Sequence, residues 1–161
     1  MLNIISQCYN YRAKYFVELC RLFSTKTDKL KNNQQIHDLI GPPDPISNLR
    51  PIIFARSAKE TYFEKKYLDL REETQRWNQE FWFKHNSSFI EERKRFQELL
   101  RAQGKIEITA DDMSVFYKQF LDKNWQFHFN YNISWYKRNL KMLLYEIVAK
   151  ISKIKIKNKF S

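Results

Sequence analysis

The segment FEKKYLDLREETQRWNQEF, residues 63–81, decides the fold class because its apolar side chains recur at helical spacing. Successive members are four, three, four, three and four positions apart, which places them on one face of an α-helix. They are Phe63, Tyr67, Leu70, Thr74, Trp77 and Phe81, and Thr74 is the polar exception. The pattern predicts a helix from Lys59 to about Lys84 with this face, including Trp77 and Phe81, buried.

Further helices are predicted on the C-terminal side of this segment. Ser88 precedes Glu91 by three residues, which is the spacing of a capping box, and Gly104 is placed to end the helix that would begin there. Thr109 and Asp112 predict another helix start. Asparagine and serine residues at 130–134 predict a break, after which a last helix runs to about residue 157.

The composition supports a mostly α protein. Hydrophobic residues make up 43% and aromatic residues 16% of the 161-residue chain, which has two glycines and four prolines. With so few turn-forming residues, a β-sandwich or a Rossmann sheet is not expected. We predict a small bundle of three to four helices over residues 59–158, with an N-terminal extended arm that contains the prolines.

The arm is predicted from IGPPDPISNLRPI, residues 40–52, which holds all four prolines. Proline fixes its own φ and disfavours helix at the preceding residue, so residues 40–58 should run extended. Two interpretations of the arm stay open. It could be a strap across the helices, in which case Arg50 would bond within the domain, or it could present a docking edge to a partner.

The charge of the chain lies at its two ends. The net charge is +11, of which residues 1–26 carry +3 and residues 137–161 carry +7. Both cysteines, Cys8 and Cys20, lie in the first basic segment, so the remainder of the chain has no thiol for a disulfide or a thiolate metal site.

The N-terminal basic segment is typical of a mitochondrial transit peptide. Its basic and apolar residues are interleaved, it has a single acid, and it has no long apolar run. We predict a presequence over residues 1–23 with a processing site at Arg21, Phe23 and Ser24, followed by a polar linker at 24–39. The alternative is an amphipathic first helix that packs on the domain.

The C-terminal segment combines an apolar stripe with lysines, a pattern suited to an anionic membrane surface or to packing in the bundle. The stripe consists of Leu140, Leu144, Ile147, Ile151 and Ile154. We predict that residues 140–147 pack in the bundle and that residues 151–160 contact a membrane or a partner. No apolar run here has the length of a membrane span.

The sequence offers no pattern typical of catalysis, and we predict a protein that is not an enzyme and has no cofactor. His37, His85 and His128 show no metal-ligand spacing. Haem ligation by His85 or His128 stays an alternative, although His128 lies among aromatic residues that favour a structural role.

The aromatic runs WNQEFWF, residues 77–83, and FHFNYNISWYKRN, residues 127–139, lie close to basic residues. Aromatic side chains next to cations can stack on single-stranded nucleic acid, so an RNA- or ribosome-associated factor is a second alternative. The helical spacing of the first stripe instead favours core and partner contacts, and we predict no nucleic-acid partner.

Several segments resemble, in the same order, the cytochrome c oxidase assembly factor 8 family, also called mitochondrial apoptogenic protein 1. They are GPPDPISNLRPI (41–52), LREETQRWNQEFW (70–82), FYKQFLDKNWQFHFNYNISWYKRN (116–139) and the lysine-rich end. The resemblance covers residues 40–157. It implies a mitochondrial protein with a cleaved presequence that lies on the matrix side of the inner membrane as a peripheral protein. The implied role is to promote assembly of cytochrome c oxidase or to protect the oxidase from oxidative damage. It also implies an older association with apoptosis.

The resemblance carries no catalytic or cofactor-binding residues over to this chain. It implies oxidase subunits or assembly intermediates as partners, and the inner-membrane surface through the basic C-terminal helix. The motif positions that we take as candidate partner-binding residues are Gly41, Pro42, Pro43, Asp44, Ser47, Asn48, Leu49, Arg50, Pro51, Trp82, Trp135, Tyr136, Lys137 and Arg138. The remaining motif positions are Trp77, Asn78, Phe81 and Asn139.

Overall fold

The structure of the protein is a computed structural model that describes residues 37–159, with side chains as far as Ile154. Two short strands, β1 (Leu39–Ile40) and β2 (Ile52–Ile53), precede two long helices, α1 (Tyr62–Ala102) and α2 (Ala110–Lys159). Residues Asp38–Phe54 and those from Lys59 onwards form one compact unit, which is the unit considered below. The predicted presequence and its processing residues Arg21, Phe23 and Ser24 lie outside the described residues.

Side-chain caps fix the start of each of the two helices, and a glycine follows the end of the first. Thr61 accepts a hydrogen bond from the Glu64 backbone N–H at 3.2 Å, and the Glu64 carboxylate accepts one from the Thr61 N–H at 2.8 Å, which completes a capping box. Thr109 and Asp112 make the same pair of bonds before α2, at 3.1 and 3.3 Å. The predicted start at Thr109 and the predicted end at Gly104, whose φ is +89°, are confirmed.

The structure has two helices between residues 37 and 159, where the sequence predicted three or four. No helix begins at Ser88, because its hydroxyl donates to Glu92 one turn later within α1, at 2.9 Å. The neighbouring Asn86 donates to the arm at the Ile46 carbonyl, at 2.7 Å. A bond within the helix thus satisfies Ser88, which was predicted to cap a new helix, and a tertiary contact satisfies Asn86 beside it.

The predicted break at residues 130–134 is also absent, and α2 continues through these residues. Asn124 and Asn139 donate to the backbone carbonyls four residues earlier, Phe120 and Trp135, at 2.8 and 2.7 Å. These two asparagines, which lie on either side of residues 130–134, therefore satisfy their amides along the helix and do not terminate it.

Helices α1 and α2 form an antiparallel hairpin. The contacts that join them step in opposite directions along the two helices, from Gln97 and Met113 near the turn, through Glu92 with Lys123 and Trp82 with Tyr131, to Glu64 with Lys153. The buried apolar side chains are few: Phe54 in the arm, Leu70 in α1, and Phe116, Phe120 and Ala149 in α2. Aromatic rings that are half-buried fill most of the remaining interface.

Candidate binding surfaces

The proline-containing arm consists of the paired strands and a tight turn between them. Leu39 pairs with Ile53 and Ile40 with Ile52 in antiparallel register. In the turn, the Asp44 carboxylate accepts bonds from the Ile46 N–H, the Ser47 N–H and the Ser47 hydroxyl, at 3.1, 2.7 and 2.9 Å. Asn48 adopts a left-handed backbone conformation with φ of 60°, which asparagine tolerates better than most residues.

Three amide side chains of α1 fasten the arm to the helix. The Gln75 amide both donates to the Ile52 carbonyl and accepts from the Ile52 N–H, at 2.9 and 3.2 Å. Gln79 donates to the Ser47 hydroxyl at 2.6 Å, and Asn86 binds the Ile46 carbonyl. The arm therefore lies along α1 as a strap.

Arg50 takes no part in fastening the arm to α1. Its side chain is exposed, and Nη1 donates to the Gly41 carbonyl at 3.4 Å, which is a long bond within the arm itself. Arg71 of α1 makes the cationic contact instead, since its guanidinium lies 3.9 Å from the Phe54 ring centroid and pairs with Asp38 at 3.0 Å. The remaining predicted arm residues divide by burial: Gly41 and Ser47 are buried, Asp44, Leu49 and Pro51 half-buried, and Pro42, Pro43 and Asn48 exposed.

A polar relay inside an aromatic cluster joins the two helices at their middle. The Trp82 indole donates to the Tyr131 hydroxyl at 2.9 Å, and that hydroxyl donates to the Asn78 amide oxygen at 2.6 Å. The Tyr131 ring stacks on Phe81 and Trp77, at centroid distances of 4.2 and 5.1 Å. Trp82 therefore lies in the helix interface, and Trp77 and Phe81, which were predicted to be buried, are half-buried there.

Next to this cluster lies a cavity of about 370 Å³ that contains two histidines. The rings of His85 and His128 meet edge to face at 4.4 Å between centroids. The His128 Nε2 atom is buried without a hydrogen-bond partner among the described residues. Burial, and then the neighbouring His128, lower the pKa of His85 below its ordinary value. The remaining lining residues are Trp82, Asn86, Phe89, Tyr117, Phe120 and Leu121.

A second cavity, of about 330 Å³, lies between the helices nearer the arm end of the hairpin and is rich in cations. Arg138 pairs with Glu73 at 3.0 Å, and its guanidinium lies 4.9 Å from the Trp77 ring centroid. Lys137 and Lys141 line the same cavity together with Leu70 and Ser134. We call this the basic pocket.

Helix α2 is apolar on two opposite faces. One face packs on α1, and its half-buried or buried members recur every three or four residues; examples are Phe116, Phe120, Tyr131 and Ala149. The opposite face, which we call the outer face, is exposed along about eight helical turns. It consists of Trp125, Phe129, Ile133, Tyr136, Leu140, Leu143, Leu144, Ile147, Ile151 and Ile154.

The prediction that residues 140–147 pack in the bundle through Leu140, Leu144 and Ile147 is wrong. Leu140 and Leu144 are 59% and 56% exposed. Met142, Tyr145 and Ala149 contact the interior instead, because a single neighbouring helix can cover only one face of α2. Within residues 37–159, neither long helix has a stretch apolar enough to span a membrane.

Known proteins resemble the chain over the region that contains the segments 41–52, 70–82 and 116–139. A sequence profile described as cytochrome c oxidase assembly factor 8 matches residues 37–155. This chain belongs to the cytochrome c oxidase assembly factor 8 family. Cytochrome c oxidase assembly factor 8 of Bos taurus is 43% identical over 133 residues, which cover 76% of this chain and 68% of that protein. No solved structure matches the chain.

Two further members of the family show the same range of similarity. The Homo sapiens factor is 41% identical over 133 residues, covering 76% of this chain and 64% of the relative. A Drosophila melanogaster protein whose name places it in this family and in mitochondria is 44% identical over 117 residues, covering 73% of this chain. The chain spans 66% of the length of that Drosophila relative.

The candidate residues carried by the family motifs do not gather on one surface of the described structure. The arm residues lie along α1, Trp82 lies between the helices, and Tyr136 lies on the outer face of α2. Trp135 is exposed beside Tyr136, with ring centroids 5.3 Å apart, and Lys137 and Arg138 line the basic pocket.

The sequence analysis missed the length of the outer face and the position of Lys141 in the basic pocket. Trp125, Phe129 and Ile133 extend the stripe toward the middle of α2, and their spacing of four residues could have revealed them. Lys141 follows Lys137 by four residues, which on a helix predicts two lysines side by side. The predicted break at 130–134 concealed the first of these signals, because it separated Trp125 and Phe129 from the last helix, whereas Lys137 and Lys141 both lie after it.

Proposed function

We propose that this protein promotes the assembly of cytochrome c oxidase in mitochondria, or protects the oxidase from oxidative damage, by binding and without catalysing a reaction. Membership of the family supports the role, since relatives carry the name cytochrome c oxidase assembly factor 8. The name of the Drosophila relative supports the mitochondrial location. We place the protein on the matrix side of the inner membrane, where an oxidase assembly intermediate would be the partner.

The observation that carries a binding role is the outer face of α2. Ten large apolar side chains stand exposed in one stripe, whereas exposed apolar residues on soluble proteins are usually scattered. Leaving this surface in water costs free energy that is recovered when the face is covered on binding. The hairpin fixes the stripe on one rigid helix, so it can be presented without ordering a flexible segment.

Complementation tests this role. Cells that lack their own member of the family should regain assembled oxidase when they express this chain. The double variant Leu140→Gln/Leu144→Gln should fail to restore it, because it interrupts the outer face at positions that do not contribute to the hairpin interior. Blue-native electrophoresis of mitochondrial extracts measures the assembled oxidase.

A matched control is available on the same hairpin. Leu99 and Ile106 are also exposed apolar residues, but they lie at the turn between the helices. The variant Leu99→Gln/Ile106→Gln should restore the oxidase like the parent. Equal rescue by the two double variants, at equal protein levels, would show that the outer face has no part in the function.

A second candidate function, the handling of haem, is favoured by the histidine cavity. A buried imidazole nitrogen without a partner is costly and can be stabilised by a ligand. Haem added to the purified chain should then show a Soret band shifted from that of free haem, and the shift should be lost in His128→Phe and kept in the control His37→Phe. A spectrum identical to that of free haem would exclude this candidate.

A further inference from the structure

The basic pocket holds more positive charge than its own acid can neutralise. Glu73 pairs with Arg138, and the ion pair and the Trp77 ring hold the guanidinium in place. Lys137 and Lys141 also line the pocket, are exposed, and have no carboxylate within ion-pair distance among the described residues. The pocket therefore presents two uncompensated ammonium groups and a fixed guanidinium, an arrangement suited to a phosphate group.

The pocket borders directly on the outer face of α2. Residues three or four positions apart are neighbours on a helix surface. Lys137 thus lies beside Ile133 and Leu140, and Lys141 lies beside Leu144. A molecule with a phosphate in the pocket could therefore lay an attached hydrocarbon chain on the exposed leucines.

We propose that the basic pocket binds the phosphate of an anionic membrane lipid while the outer face of α2 lies in the lipid surface. The hairpin would then rest with α2 against the bilayer, and with α1 and its strap on the side away from it. This inference deepens the proposed function, because it names the surface through which the factor reaches the membrane.

The charge distribution along α2 favours a lipid surface as the occupant. Between residues 125 and 154 the helix has five basic residues and one acid, Glu146. Glu146 pairs with Lys150 at 2.7 Å and is half-buried, so it does not stand on the outer face. A helix with an apolar stripe flanked by lysines is the pattern of proteins that lie in the interface of anionic membranes.

Aromatic residues of the outer face support the same orientation. Trp125 and Tyr136 stand in the stripe with their polar groups on otherwise apolar rings. Such side chains are favoured at the boundary between lipid headgroups and hydrocarbon.

Vesicle flotation of the purified full chain tests the proposal. The parent should float with vesicles of phosphatidylglycerol and phosphatidylcholine and far less with phosphatidylcholine alone, and added salt should weaken the binding. Lys137→Gln/Lys141→Gln should weaken partitioning about thirtyfold, which corresponds to about 1 kcal/mol for each lysine near an anionic surface. Circular dichroism should show the parent helix content in this variant.

The variant Lys65→Gln/Lys66→Gln is the matched control, because it removes the same charge from exposed positions of α1. It should float like the parent. Equal losses in the two double variants would show a general charge effect and overturn the assignment of the pocket.

Titration with glycerol 3-phosphate distinguishes a lipid from a soluble phosphate. If the soluble compound binds the parent as tightly as the vesicles do, the pocket serves a soluble anion and the lipid proposal is wrong. A chain that floats with neither vesicle also overturns it and leaves a protein partner as the occupant of the outer face. The assay contains no oxidase, so its outcome is independent of the complementation test.

Discussion

The two helices of the hairpin differ in the side chains on the faces that point away from each other. Helix α1 is covered on one side by α2 and on another by the arm, and its exposed positions are mainly charged, as at Lys65, Asp69, Arg76 and Lys94. Helix α2 is covered on one side only, yet it is apolar on two. The comparison shows that the hydrophobic content of a helix does not measure its burial, and that a helix with two apolar faces has one available for a partner.

We expect the largest effect on stability from a comparison of two phenylalanines of α2. Phe120 is 4% exposed against α1, and Phe129 is 57% exposed on the outer face. Phe120→Ala should lower the free energy of unfolding by about 3–5 kcal/mol, because it removes a buried ring. Phe129→Ala should change it by no more than about 0.5 kcal/mol. Urea denaturation measures both, and similar losses would mean that the outer face is already covered within the protein.

The polar relay gives the next largest effect, because it joins the two helices through one hydroxyl. Tyr131→Phe removes the acceptor of Trp82 and the donor to Asn78 while keeping the ring stack. We expect a loss of about 1–3 kcal/mol, since two partly buried groups lose their partner. Tyr136→Phe on the outer face is the control and should melt like the parent. A stable Tyr131→Phe protein would show that the relay does not hold the helices together.

The strap on α1 is tested through its turn. Asn48→Ala should lower stability by about 1 kcal/mol, because alanine is strained in the left-handed conformation, whereas Asn48→Gly should be nearly neutral. Hydrogen exchange at the Ile52 N–H, which Gln75 accepts, reports whether the strap has loosened. Equal behaviour of the alanine and glycine variants would show that the turn does not hold this conformation in solution.

The smallest effect concerns pH. The pKa of His85 is lowered by burial and by His128, so the unfolded chain takes up a proton near the ordinary value of 6.5 while the folded chain does not. Stability should therefore fall as the pH is lowered from about 7.5 to 5.5, a window above the ordinary carboxyl pKa values. His85→Gln should flatten this dependence. An unchanged slope in thermal melts of the variant would assign the pH effect to other groups.

The sequence predicted the helical class and the ends of the hairpin well, because caps and helical periodicity are local signals. Thr109, Asp112 and Gly104 act through neighbours three or four residues away, and a single sequence displays them fully. The first stripe was likewise correct in placing Trp77 and Phe81 against α2, where both contact Tyr131. Its predicted burial holds only in part, because Leu70 and Thr74 are buried, Trp77 and Phe81 are half-buried and Phe63 is exposed.

The continuity of the helices could not be predicted, because it depends on distant partners. Asn86 is satisfied by the arm forty residues earlier in the chain, and Tyr131 is held by Asn78 and Trp82. The same limit applied to α2. Periodicity shows that Leu140 and Met142 are both on apolar faces, but only the position of α1 decides which face is covered. The roles of the partner-binding candidates in the arm stay predictions.

The antiparallel pairing around the turn at Gly104 also governs how the chain can reach its fold. Near the turn, Gln97 contacts Met113 across 16 residues, and at the open end Glu64 contacts Lys153 across 89. Each successive pairing enlarges the closed loop by a few residues, and the entropy of closing a loop grows only slowly with its length. The hairpin can therefore form from the turn outward, a route of short steps that topologies with many distant contacts lack.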